Sequence, residues 1–415
     1  MSVTPPMAYA ELAARIVSTG VLPDPWLDGK PRFATAPLVL DAATFGRLSA
    51  AAEVMCALHE EAVRLCLADP ALIDRFYAWS PWQRRMWEAS AGAWHGLARA
   101  DVFLTSDGPR VCELNSDTPS GEAEAVLLNR LVADRVGVGH ADPNSGFEEA
   151  FVSMVEAVAP RRGPLTVGIL YPTEIVEDLS MIRLYRQWLQ ARGATVVLGS
   201  PFNLNAASER PALFGKRCDV FIRHYKTDWW SEREPAWLDE PAPPDAAALE
   251  APLKLLLDGV AAGHCAVVNP FGAVLTQNKR TMALLWEEID RLPAWAADAV
   301  RAYLPYTVRL EAAPPEVASQ RADWVLKSDY GCEGTEVLIG AREPELDWAA
   351  ALRAANPRRF VAQRRFDALT DGNGDSVNFG VYVAGGQTCG IYSRAQRGAT
   401  DCRALATATF VEVRP

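Results

Sequence analysis

The chain has 415 residues, of which 49% are apolar, so it is long enough to bury a large core and to form two or three packed subdomains. Its formal net charge of -11 argues against a nucleic-acid-binding protein, which would normally concentrate lysine and arginine on one face. Neither a secretion signal nor a window of about 18 uninterrupted apolar residues is found, so we expect a cytoplasmic protein with no membrane partner. The scattered cysteines, which form no C-x-x-C pair, are typical of free thiols in a reducing compartment.

The first third of the chain is predicted to be helical, apart from one hairpin. Apolar residues recur at helical spacing between residues 44 and 100. The period changes over 101–115, where two short strand-like runs flank the turn residues Ser-Asp-Gly at 106–108, which is a hairpin signature. Another helix is predicted over 120–136.

A different pattern begins at Leu165. Residues 165–172 are predicted as a buried strand, 178–193 as a helix closed by a glycine, and 194–201 as the next strand. This is a β-α-β unit of the doubly wound kind, and 218–226 would add a third strand. The Pro-rich, acidic segment 232–250 is predicted to be a surface connection.

The C-terminal part is predicted to contain short strands separated by polar or glycine-rich turns. The predicted strands are WVLKSD at 324–329, EVLIG at 336–340, RFVAQRRF at 359–366, VNFGVYVAG at 377–385 and QTCGIYSRA at 387–395. The fold class is therefore α/β, with an α+β character at both ends.

Acidic and amide side chains cluster on the predicted hairpin. If 106–108 form a three-residue loop with Gly108 in the left-handed conformation, Asp101 lies opposite Glu113. Asn115 lies diagonally beyond them on the same face, because strand side chains alternate with period two. Two facing carboxylates are unfavourable unless a cation sits between them, and magnesium fits such oxygen ligands. The alternative is a solvated polar face that binds no ion.

A lysine next to a glycine-containing turn is a second candidate. Lys327 ends a predicted strand, and Gly331 and Gly334 give the following loop its freedom. Such a lysine can hold ATP phosphates while backbone N–H groups cover them. The chain contains no G-x-x-x-x-G-K-[ST] sequence, so this is not a P-loop. Taken alone, the lysine could equally be a solvated residue beside a turn.

Three further cations are candidates for the site. Lys279 lies in the first turn of a predicted helix, where it is either exposed or faces an anion. Arg394 lies at a strand end, and Arg99 precedes Asp101 by two residues, so it would share that residue's face if the strand begins early enough. No histidine lies in a motif that requires a base, and we expect structural roles for all of them: His59, His95, His140, His224 and His264.

Together these segments resemble the glutathionylspermidine synthase family of ATP-grasp ligases. The segment RADVFLTSDGPRVCELNSDTPSGEAEA is similar to the family's R-x-D strand followed by E-x-N-x-D-T/S. The resemblance implies that Asp101, Glu113 and Asn115 bind magnesium and that Arg99 lies near the reacting phosphate. The resemblance also implies roles elsewhere, namely Lys279 and Lys327 as ATP ligands, Gly331 and Gly334 in the loop over the phosphates, Gln363 at the adenine, and Arg394 on a late strand.

The order of these motifs, with the metal ligands ahead of the lysines, resembles the permuted arrangement of this family. Ser328 replaces the family's usual proline after the second lysine, and no amidase half is present. The expected fold is an ATP-grasp fold with a helical segment and metal-binding hairpin over 1–160, a Rossmann-like pre-ATP-grasp domain over 161–268, and ATP-binding subdomains over 269–415.

The function that the resemblance implies is ligation of a small-molecule or peptide carboxylate to an amine, using ATP and Mg2+, through an acyl phosphate. A protein of the same fold that binds a nucleotide or peptide without turnover is the alternative, against which the intact motif residues weigh. A dinucleotide-dependent oxidoreductase ranks last, because YPTEIVED follows the strand at Leu165 where G-x-G-x-x-G would be needed.

Overall fold

The computed structural model describes residues 7–22, 24–173, 178–231, 237–239, 249–331, 336–398, 400–401 and 403–413. These residues form a mixed α/β structure with several sheets. The α-helices are α1 Tyr9–Ser18, α2 Ala42–Ala68, α3 Ala71–Phe76, α4 Pro81–Ser90, α5 Glu122–Val132, α6 Phe147–Val158, α7 Leu179–Ala191, α8 Thr227–Ser231, α9 Glu250–Ala261, α10 Ala273–Thr276, α11 Arg280–Glu287, α12 Ala294–Tyr303, α13 Glu316–Ser319 and α14 Glu345–Ala354.

The strands are β1 Trp26–Leu27, β2 Lys30–Pro31, β3 Leu38–Leu40, β4 Leu97–Thr105, β5 Gly108–Asn115, β6 His140–Ala141, β7 Thr166–Leu170, β8 Thr195–Gly199, β9 Leu204–Ala207, β10 Arg210–Leu213, β11 Lys216–Arg217, β12 Val220–Arg223, β13 Ala266–Val268, β14 Thr307–Arg309, β15 Trp324–Ser328, β16 Val337–Ile339, β17 Phe360–Arg364, β18 Ser376–Ala384, β19 Gln387–Gln396, β20 Leu405–Thr407 and β21 Thr409–Glu412. Among the described residues, no helix is both long enough and apolar enough to cross a membrane.

The predicted β-α-β unit is confirmed. Strands β7 and β8 are parallel neighbours joined through α7, and β12 pairs in parallel with the other side of β7. The four-stranded parallel sheet has the order β13-β12-β7-β8. Helix α7 ends before Gly193, whose φ of 81° is the left-handed conformation that favours glycine after a helix. The predicted surface connection 232–250 lies mostly outside the described residues.

A five-stranded antiparallel sheet joins distant parts of the chain. Its order is β20-β19-β18-β4-β5, so the predicted hairpin pairs with strands near the C-terminus. Helix α2 covers one face, where it packs against alternate residues of β4 and β18 in one hydrophobic cluster. Burial of each large apolar side chain here contributes roughly 1.5–3 kcal/mol. The opposite face carries the polar residues of the candidate site.

The predicted helix that extends to residue 100 is wrong at its C-terminal end. Helix α4 is started by Pro81 and a capping box between Ser80 and Gln83, and it stops at Ser90. Strand β4 begins at Leu97, because residues 97–102 pair with β18. This partner lies about 280 residues further along the chain, so local periodicity could not reveal the pairing.

The predicted hairpin forms, with a different turn. Thr105 pairs with Gly108, so the loop contains two residues and not three, although Gly108 has the expected positive φ of 110°. The register shifts between Asp101 and Val102, and Cys112 is the extra residue of this β-bulge. The bulge restores the predicted pairing of Asp101 with Glu113. The pairing is confirmed and the predicted three-residue loop is wrong.

A second antiparallel sheet has the order β14-β17-β15-β16 and contains the predicted strands around Lys327 and Gln363. One face is closed by a separate small hydrophobic cluster that includes Trp324 and Trp348. The parallel sheet lies wholly within the predicted segment 161–268, whereas the five-stranded sheet takes strands from both flanking segments. The division into three domains stays a prediction.

Candidate functional site

Most of the predicted site residues lie on the face of the five-stranded sheet that α2 does not cover. Because side chains alternate along each strand, every second residue projects from this face. The residues that do so are Arg99 and Asp101 on β4, Glu113 and Asn115 on β5, Ser376 and Asn378 on β18, and Tyr392 and Arg394 on β19. Two pairs of consecutive strands that lie far apart in sequence therefore build one polar floor.

Asp101 is the centre of this floor. Its carboxylate accepts hydrogen bonds from Arg99 Nε at 2.8 Å and Arg99 Nη2 at 3.2 Å. Arg394 Nη2 donates to it at 3.0 Å, and Asn378 Nδ2 at 3.2 Å. Burial by itself would raise the pKa of the Asp101 carboxyl, but Arg99 and Arg394 outweigh burial and hold the pKa below its usual value. The group is therefore an anion at neutral pH.

Gly380 provides the space in which Arg99 reaches Asp101. Gly380 pairs with Asp101 in the ladder between β18 and β4. A Cβ atom at Gly380 would lie 2.7 Å from Arg99 Cδ, closer than real Cβ contacts, and 3.1 Å from Arg99 Nε. The glycine thus allows the guanidinium to lie across the sheet.

Glu113 is paired with one of the predicted lysines. Lys279 Nζ lies 3.0 Å from Glu113 Oε1 and donates to the carbonyl oxygen of Gly331 at 2.6 Å. Lys279 is 3% exposed and is not among the residues that line the cavity. Its ammonium instead joins the hairpin to the start of the predicted glycine loop. Gly331 is likewise not among the residues that line the cavity.

Lys327 connects the two antiparallel sheets. It projects from β15 and donates from Nζ to the carbonyl oxygen of Cys112, the bulge residue, at 3.1 Å. Gln363 on β17 lies on the same cavity wall and donates from Nε2 to Thr307 Oγ1 at 3.0 Å. The apolar side chains between them come from Val325, Val337 and Ile339. A charged group thus stands at one end of an apolar slot and an amide at the other.

Ser328, the departure from the family pattern, ties together both ends of the glycine loop. Its hydroxyl accepts a hydrogen bond from the Gly331 backbone N–H at 3.0 Å and donates to the carboxylate of Glu336. A proline at this position could make neither contact. Gly334, the other predicted loop glycine, lies outside the described residues.

The two sheets enclose a cavity of about 1450 Å³. Seven predicted residues line it, namely Arg99, Asp101, Glu113, Asn115, Lys327, Gln363 and Arg394. Ten lysine or arginine and eight aspartate or glutamate side chains surround it, so the cavity is net positive in a chain whose formal charge is -11. A concave, positive site of this kind concentrates anions.

Several lining residues were missed by the sequence analysis. Asn378 reaches the site only because β18 pairs with β4, and nothing in its neighbourhood marks it as special. Lys30 and Arg32 line the cavity from the hairpin of β1 and β2. His224 also lines the cavity.

The donor set fits a hard cation. Among the described residues, no group of three or more His, Cys, Asp and Glu side chains is placed to hold a metal. A cation here would therefore need the carboxylates of Asp101 and Glu113 together with amide oxygens. Asn115 supplies one such oxygen, and the Oδ1 atom of Asn378 is buried without a hydrogen-bond partner among the described residues. An unpartnered buried acceptor beside Asp101 suits an oxygen-binding ion.

Glu122, the first residue of α5, is fully buried, and neither carboxyl oxygen has a hydrogen-bond partner among the described residues. Burial raises its pKa to about 8. The unfolded chain gives up this proton near pH 4.5, so the free energy of unfolding should fall as pH rises from there to about 8. Over this pH range, we expect the free energy of unfolding to fall by about 1–3 kcal/mol less in Glu122→Gln than in the wild type. Urea unfolding at several pH values measures the difference.

The exposed residue Glu156 provides the matched control. Glu156→Gln should leave the pH dependence of unfolding as in the wild type, because the side chain is exposed and its replacement changes no buried group. A constant difference between wild type and Glu122→Gln at every pH would contradict the elevated pKa.

Comparison with known proteins identifies the family. The family model described as glutathionylspermidine synthase pre-ATP-grasp matches residues 35–410. The chain belongs to this family. Membership of this family indicates a synthetase-type ligase. The matched segment begins after β1 and β2, so the cavity residues Lys30 and Arg32 lie before it. None of the curated proteins matches the sequence significantly.

One solved structure supports the overall fold. A glutathione synthetase-like effector from Globodera pallida, solved in its apo form, has a TM-score of 0.62 at 10% identity, with 97% of this chain and 96% of that chain covered. A putative gamma-glutamylcysteine synthetase from Methylobacillus flagellatus has a TM-score of 0.48 at 13% identity, with coverage of 88% and 86%. The first likeness extends over nearly the whole chain.

Proposed function

We propose that this protein is an ATP-dependent carboxylate–amine ligase of ATP-grasp type, which activates an acid as an acyl phosphate and transfers the acyl group to an amine. The observation that carries the proposal is the position of Lys327 and the Asp101 cluster on facing walls of one positive cavity. Phosphoryl transfer depends on positioning and charge neutralisation more than on a covalent nucleophile. Lys327 and the charged residues around Asp101 can supply both the positioning and the charge neutralisation.

Each wall has its part in this mechanism. The slot formed by Val325, Val337 and Ile339 suits an adenine ring, with the amide of Gln363 available to its polar edge. Lys327 would then lie against the phosphates. Asp101, Glu113 and Asn115 would hold Mg2+, which neutralises phosphate charge when bound.

The arginines would receive the acid substrate. Arg99 and Arg394 both point their guanidinium groups at Asp101, and Arg394 Nε is buried without a hydrogen-bond partner among the described residues. Arg99 and Arg394 would bind the carboxylate of the substrate acid through charge-assisted hydrogen bonds from their guanidinium groups and would hold it for reaction with ATP.

Two measurements test the proposal. A shift of melting temperature with ATP and Mg2+ tests binding, and a tenfold excess over Kd should stabilise the native state by about 1.4 kcal/mol. ADP and phosphate release tests turnover with a panel of acids (glutathione, gamma-glutamylcysteine, L-glutamate) and amines (spermidine, glycine, ammonia). We expect binding, and release that requires both an acid and an amine.

The outcomes separate the ligase from its alternative. A melting shift without release across the panel would favour a protein of the same fold that binds nucleotide without turnover. Absence of any shift would contradict the nucleotide site itself.

A further inference from the structure

His224 lies on the cavity wall at the carboxyl edge of the parallel sheet. It directly follows β12, and its backbone N–H donates to the Leu170 carbonyl oxygen at 2.7 Å, which fixes its position against β7. Its ring Nε2 lies 3.2 Å from a carboxylate oxygen of Asp178, the residue before α7. Ligands of open α/β sheets bind at this edge of the strands.

The contact of His224 Nε2 with Asp178 leaves the other ring nitrogen, Nδ1, available. When Asp178 accepts a hydrogen from Nε2, the neutral imidazole carries its lone pair on Nδ1. In the part of the chain that the structure describes, Nδ1 has no hydrogen-bond partner. His224 is 8% exposed, and the surface it keeps contributes to the cavity. A carboxylate that orients an imidazole in this way is a common arrangement for a general base.

The chain segment that carries His224 is connected to the polar floor. Arg223, next to His224, forms a fully buried ion pair with Asp117, which follows Asn115 by two residues. Asp117 also accepts hydrogen bonds from the backbone N–H and the hydroxyl of Thr227, at 2.7 and 3.1 Å. The wall that bears His224 is therefore held on both sides to the loop that continues the hairpin.

We propose that His224, oriented by Asp178, is the general base that takes the proton from the amine as the amine attacks the acyl phosphate. This role rests on the ligase function proposed above. The amine lone pair forms the C–N bond, the C–O bond to phosphate breaks, and phosphate leaves with that electron pair. The proton lost by nitrogen goes to His224 Nδ1 and is then released to phosphate or water. His224 is the catalytic residue and Asp178 a positioning residue.

The test compares two nucleophiles. The acid–amine pair with the highest turnover in the panel above is assayed beside the same acid with hydroxylamine, which is uncharged at neutral pH and attacks acyl phosphates without a base. We expect His224→Gln to lower amide formation about 100-fold or more and to leave hydroxamate formation within about twofold. Asp178→Asn should lower amide formation about tenfold with the same selectivity. Imidazole should partly restore amide formation in His224→Ala.

One control variant and two contrary outcomes distinguish the role of His224 from the ligase function. His264→Gln, at a histidine that does not line the cavity, should change neither reaction. Equal loss of both reactions in His224→Gln, or amide formation retained in it, would overturn the role of His224 and leave the ligase intact. A wild type that forms neither product with any acid of the panel would overturn the ligase proposal, and this role with it.

Discussion

Replacing Lys327 with methionine is expected to lower kcat/KM for ATP-dependent ligation by about 100- to 1000-fold. Lys327 is 7% exposed and projects from β15 toward Cys112, whose carbonyl oxygen accepts its hydrogen bond at 3.1 Å. It is the lysine among the predicted ATP ligands that lines the cavity. Methionine keeps the apolar stem and removes the charge that would neutralise the transferring phosphate. Steady-state ADP release measures the effect.

Lys254 provides the matched control. It is exposed on α9 and pairs with Asp258 one turn away. Lys254→Met should leave kcat/KM unchanged, and a free energy of unfolding near the wild-type value in both variants would exclude misfolding. If Lys327→Met retained most of the activity, the phosphates would have to lie elsewhere in the cavity.

Replacing Asp117 with alanine is expected to destabilise the protein by about 3–5 kcal/mol. Arg223 and Asp117 are 0% and 1% exposed, so removal of the carboxylate leaves a buried guanidinium without its counter-charge. Two hydrogen bonds from Thr227 to the same carboxylate are lost as well. Urea unfolding of wild type and variant measures the difference. Because the pair joins the parallel sheet to the loop after β5, activity should fall together with stability.

The comparison variant is Asp298→Ala. The Asp298 side chain is 81% exposed and pairs with Arg301 at 3.4 Å on the surface of α12. Exposed pairs contribute about 0–1 kcal/mol, so this variant should unfold almost like the wild type. If Asp117→Ala proved no more destabilising than Asp298→Ala, the buried pair would not be what holds the two sheets together.

Much of the candidate site could be predicted from short segments. Strand periodicity alone places Arg99 on the same face as Asp101, and Glu113 on the same face as Asn115, because these pairs are two residues apart. The family motifs then indicate Lys327 and the late arginine. All of these line the cavity. The agreement arises because each motif lies within one strand or one hairpin, where spacing determines geometry.

Other parts of the site depend on contacts between distant segments. Asn378 reaches Asp101 only through the pairing of β18 with β4. The space for Arg99 depends on Gly380 in that same ladder. His224 directly follows a strand of the parallel sheet, and the buried ion pair of Arg223 with Asp117 helps to hold that sheet against the loop after the hairpin. Such contacts are chosen by which faces can be buried together, and no local pattern records that choice.

By itself the sequence determined the α/β class, the β-α-β unit, the two faces of the hairpin and the identity of the charged residues in its motifs. The tertiary structure decided the two-residue turn and the bulge at Cys112, the early start of β4 at Leu97, and the pairing of Lys279 with Glu113. The physical reason is that strand alternation and helix capping depend on neighbouring residues, whereas register and ion pairing depend on which distant surfaces bury each other.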